Sequence, residues 1–90
     1  MAGVEHDGLG YVFGGLSGTT VLDSVEVYEP AGDIWWTVTT MPEPRRGHRV
    51  AKAGQLAYVI GGYDAQGDPT PDVMVYDLEL GVWYSGSAPL

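Results

Sequence analysis

Apolar and polar residues alternate over short runs in this chain. In Val73-Met74-Val75-Tyr76-Asp77 an extended backbone puts Val73 and Val75 on one side and Met74 and Tyr76 on the other. Leu56 to Ile60 is a second run, bounded by Gly54 and by Gly61-Gly62. Reading the whole chain this way predicts eight strands. They are about Gly3 to His6, Leu9 to Phe13, Ser24 to Tyr28 and Ile34 to Thr39, then His48 to Ala53, Leu56 to Ile60, Val73 to Asp77 and Val82 to Ser85. Gly or Pro marks the turns, and no useful stretch has the 3.6-residue period of an amphipathic helix.

The second half of the pattern repeats the first. Tyr11-Val12-Phe13-Gly14-Gly15 returns 47 residues later as Tyr58-Val59-Ile60-Gly61-Gly62. Val25 to Tyr28 returns 48 residues later as Val73 to Tyr76, and Trp35 returns as Trp83. The one-residue change in spacing falls between the Gly-Gly pair and the Tyr strand, where a loop absorbs it. Within each repeat Tyr and Trp are seven residues apart. That separation suits neighbouring antiparallel strands joined by a tight turn, with both rings on one face as packing blocks. The glycine pairs suit a backbone with positive φ or a close approach that a β-branched residue would strain.

A Gly-Gly pair, a Tyr 13 to 14 residues on and a Trp seven further resembles the kelch repeat, and it occurs twice over essentially the whole chain. The resemblance implies an all-β fold with two four-stranded antiparallel propeller blades, the first about 1–43 and the second about 44–90. It assigns blade packing to Gly14, Gly15, Tyr28 and Trp35, and again to Gly61, Gly62, Tyr76 and Trp83. Propellers close with 4–8 blades, so two blades form an incomplete ring with an apolar sheet face at each end. Leaving about 500 Å² of apolar surface open on one such face forgoes about 12 kcal/mol. That is as large as the net stability of a domain. The chain is therefore expected to meet further blades. They come from copies of itself, with a trimer of two-blade units preferred, or from a longer parent chain. Two repeats in phase also suit a designed unit.

Composition narrows the function classes. Twelve acidic residues against four basic ones give a net charge of −8, which repels nucleic acid. No apolar run approaches the ~20 residues of a membrane span, so neither nucleic acid nor membrane is an expected partner. The sequence contains no cysteine, which removes disulfides, thiolate nucleophiles and thiolate metal ligands. With no basic and apolar leader at residues 1–7, a cytoplasmic location is expected. His6 and His48 alone do not make a zinc motif, and Asp64, Asp68 and Asp72 lack calcium-loop spacing. No cofactor or metal is expected.

Two regions carry candidate binding residues. Arg45, Arg46 and His48 precede the second blade's first strand. The kelch resemblance gives Arg45, with Gly47, a place facing a pocket for acidic peptides, where an Arg fork reads carboxylates in pairs. The alternative is a structural Arg bonded to backbone carbonyls between blades. Tyr63, Asp64, Gln66 and Asp68 lie on a loop expected to project from the propeller face for recognition. The alternative there is turn chemistry. Trp35 is expected in the core, with Trp36 on the opposite face of its strand. Since every repeated residue is structural, a protein-interaction or self-assembly module is expected rather than an enzyme. The second reading is a piece of a kelch-type sugar-modifying enzyme, such as one that interconverts sialic acid anomers, with Arg45 and Glu5 or Asp64 as its remnant.

Overall fold

Eight strands run in chain order through residues 3–84, the part described in a computed structural model of the protein. They are β1 (Gly3–His6), β2 (Leu9–Ser17), β3 (Thr20–Glu29), β4 (Ile34–Thr40), β5 (Arg49–Ala53), β6 (Leu56–Ile60), β7 (Val73–Asp77) and β8 (Trp83–Tyr84). They form two four-stranded sheets ordered β1-β2-β3-β4 and β5-β6-β7-β8, with every neighbouring pair antiparallel. The fold is all β, and the two sheets do not close into a barrel or ring.

Strand register sets which side chains share a face. Phe13 stands opposite Val25 and Tyr11 opposite Val27, so these four lie together on one face of the first sheet. Ala57 stands opposite Tyr76 and Val59 opposite Met74 on one face of the second sheet. These two faces pack on each other and form the core, joined by Met41 and Leu78. Phe13 is fully buried, as is Val25. Tyr28 lies directly opposite Trp35, and Tyr76 opposite Trp83. Their ring centres lie 4.7 Å and 4.8 Å apart, with planes tilted by 37° and 44°.

Six strand ends differ from the sequence reading, and three of them have a local cause. β2 continues through Gly14-Gly15 to Ser17 by way of a bulge, and β3 starts at Thr20 rather than Ser24. Leu16 to Thr20 is thus the tip of a long hairpin, turned at Gly18. The matching stretch of the second blade carries Pro69 and Pro71, which lack a ladder donor, and β7 starts only at Val73. β5 begins at Arg49 because His48 turns its ring into the seam between sheets. The expected end of the last strand at Ser85 lies outside the described residues, as do the outer ends of the two expected blades.

Candidate functional site

The glycine pairs shape the edge from which the loops project. Gly14 has φ +61, and a Cβ there would lie 2.6 Å from Met41 Cε and 2.9 Å from the Arg45 carbonyl oxygen. Gly62 has φ +90, and a Cβ would lie 2.7 Å from the Arg46 carbonyl oxygen. Both glycines are needed because the segment 45–48 passes directly over them. Gly15 N donates to Arg45 O, Arg45 N to Leu22 O, and Tyr63 and Arg46 exchange backbone bonds. The connection between blades is therefore sewn to both glycine turns.

This path decides where the expected binding residues point. Arg45 is only 1% exposed. Its guanidinium donates to the Pro44 carbonyl at 2.8 Å and lies 3.6 Å from Glu43 and 3.8 Å from Asp72. The pocket placement expected for Arg45 gives way to a buried one, since backbone bonds on both sides of the residue turn its side chain inward. His48 is buried too, and its Nε2 donates to the Phe13 carbonyl across the blades. Burial pushes the His48 imidazole below its ordinary pKa, against the opposing pull of that hydrogen bond.

Arg46, Tyr63 and the loop after it do come together. The Arg46 guanidinium lies over the Tyr63 ring, 4.9 Å from its centre. Tyr63 is 41% exposed. Asp64 Oδ1 accepts from the backbone N–H groups of Gln66 and Asp68 at 3.0 Å and 2.9 Å, so its carboxylate stabilises the turn. Gln66 and Asp68 are exposed.

The two outer sheet faces form a second candidate surface. On the first blade Trp35 is 54% exposed, against its expected place in the core. Its counterpart Trp83 packs on Phe13 of the neighbouring blade, whereas no described residue from another sheet covers Trp35. Beside it Gly10, Val12 and Tyr28 line a shallow hollow of about 350 Å³. Trp36 is 40% exposed on the opposite face. On the outer face of the second blade, Tyr58, Ile60 and Val73 occupy the repeat positions of Tyr11, Phe13 and Val25. The two outer faces thus repeat the two halves of the existing seam. Reading the sequence missed Phe13 as the residue that fills the seam, although its place before Gly-Gly in the repeat was the available signal.

Comparison with known proteins agrees with this geometry. The Kelch motif matches residues 1–42 and again 44–89. The chain is 35% identical over 81 residues to alpha-scruin of Limulus polyphemus, covering 82% of this chain and 9% of that protein. It is 31% identical over 93 residues to Kelch-like protein 15 of Danio rerio, covering 96% and 15% respectively. Against Kelch-like protein 33 of Homo sapiens it is 35% identical over 77 residues, with coverage of 86% and 14%. The chain therefore spans a small part of the length of these relatives. Two motif matches along its length, on two four-stranded sheets, establish that the chain belongs to the Kelch motif family.

Proposed function

We propose that this chain is a non-enzymatic protein-interaction module that builds a ring of about six kelch blades in the cytoplasm. Its blades join other blades face to face, and a head-to-tail homotrimer is the preferred assembly. The same faces would receive the next blades of a longer parent chain. One observation carries this reading. The Tyr28–Trp35 face and the Ile60 face repeat the Tyr76–Trp83 face and the Phe13 face, which already pack together inside the chain. A contact between two different faces of identical subunits closes a ring when the rotation fits. The loop edge is the natural place for a further protein partner. There Arg46 and Tyr63 offer an acidic peptide a cation and an aromatic ring.

Light scattering on the purified chain tests the assembly. The expected particle has three times the 9.6 kDa chain mass. A folded, soluble monomer at 9.6 kDa overturns the ring.

A further inference from the structure

His6 ends β1, Asp7 opens the turn to β2, and Glu79 lies in the turn between β7 and β8. Although Glu79 is 73 residues from His6, its Oε2 lies 3.2 Å from His6 Nε2. Asp7 Oδ2 lies 3.6 Å from the same nitrogen, and the three donor atoms fall within 4.8 Å of one another. The cluster spans the two blades on the edge opposite Arg46 and Tyr63. The His6 side chain is only 10% exposed, and its polar neighbours are these two carboxylates. Its Nδ1 is buried without a partner among the described residues.

The repeat does not carry these residues. The repeat positions of His6 and Asp7 hold Ala53 and Gly54, and that of Glu79 holds Ala31. Gly54 has φ +61, the ordinary choice for a left-handed turn position, whereas Asp7 adopts φ +53 with a side chain attached. At that position the first blade carries a carboxylate in place of the permissive residue.

We propose that His6, Asp7 and Glu79 form a divalent transition-metal site that staples the two blades, with zinc as the fitting ion. One imidazole nitrogen and two carboxylates suit zinc, cobalt(II) or nickel(II), whereas calcium and magnesium favour oxygen ligands alone. Zinc bonds of about 2.0–2.1 Å place tetrahedral donors about 3.3 Å apart, close to the two separations measured from Nε2. The wider gap between the carboxylates closes by rotation of exposed side chains, since Asp7 is 80% and Glu79 53% exposed. The buried ring supplies the fixed ligand, and the fourth position opens to water. Among the described residues Nδ1 lacks the acceptor that strengthens a ligating imidazole, which weakens the affinity.

The test is titration of the full chain with zinc chloride by calorimetry, and with cobalt(II) by visible absorption. The expected result is one ion per chain, a visible band for cobalt and a higher melting temperature with zinc. Glu79→Gln, at an exposed turn, should weaken zinc binding at least about tenfold, and His6→Ala should abolish it. Asp64→Asn, on the opposite edge, should leave it unchanged. An absence of zinc binding overturns the site. So does binding that Glu79→Gln leaves unaltered, because the ion is then held by the acidic surface at large.

Discussion

Phe13 meets Tyr76 edge to face across the seam, with ring centres 6.1 Å apart and planes at 69°. Trp83 presents its own plane to the same ring at 6.2 Å and 88°. One residue from the first blade thus plugs the gap beside the paired Tyr and Trp rings of the second, an arrangement that favours edge-to-face attraction beyond simple burial. Phe13→Ala should cost about 3–5 kcal/mol. Urea unfolding followed by tryptophan fluorescence should show one transition at a lower midpoint. A change below about 1 kcal/mol would mean that the seam does not hold the blades together.

Gly62 gives a sharper test of the sewn connection. Alanine there must adopt φ +90 while its Cβ lies 2.7 Å from Arg46 O and 2.8 Å from His48 N. Gly62→Ala should cost about 2 kcal/mol or more. Gly54→Ala has a similarly unfavourable φ but open space around the Cβ, and it should cost less. Equal losses in paired denaturation curves would rule out the close approach as the cause.

Trp35 separates assembly from folding. The residue is more than half exposed, whereas Trp83 packs on Phe13. Trp35→Glu should reduce the particle to the mass of one chain while leaving the far-ultraviolet dichroism in place. Trp83→Glu should disrupt the fold itself. A Trp35→Glu particle of unchanged mass would show that this face is not the contact.

Stability should fall as the solution is acidified through the histidine range. Burial lowers the His48 pKa in the folded state, so the unfolded chain binds more protons below about pH 6.5. The slope is positive: stability rises with pH from the depressed folded value up to about 6.5. His48→Gln keeps an N–H donor for the Phe13 carbonyl but does not titrate. The difference between the two proteins should therefore shrink as pH falls from about 7 to about 5, measured by urea midpoints. A constant difference would remove His48 from the pH response.

Asp77 responds at lower pH. Its carboxylate accepts from the backbone N–H groups of Leu80 and Glu79, from Gln55 Nε2 and from the Tyr84 hydroxyl. These bonds, that from Leu80 foremost, outweigh burial and hold its pKa below the ordinary carboxylate value. The stability they confer is present above about pH 4 and is lost as pH falls through the depressed value. Asp77→Asn should lower the melting temperature at neutral pH and flatten the acid limb of the curve.

The strand pattern was readable because alternation and turn residues are local. Leu56–Ile60 and Val73–Asp77 begin and end where their flanking Gly and Pro residues place them. The Tyr28–Trp35 and Tyr76–Trp83 pairs followed from seven-residue spacing across tight turns. The start of β3 at Thr20 was hidden because pairing resumes beyond a bulge, which leaves no mark in the alternation. The direction of Arg45 depends on Leu22 and Asp72, residues distant in sequence that fold back on it. His6 and Glu79 meet through tertiary packing across 73 positions, and no motif spacing reports such a meeting.

Because the Phe13-type side and the Tyr–Trp side of a blade differ, the unit has a direction, like a tongue-and-groove plank. Flipping one copy would bring tongue to tongue, which disfavours a two-fold dimer through these surfaces. Growth by tandem duplication would instead reuse a joint that already exists, adding blades in pairs without inventing a new surface.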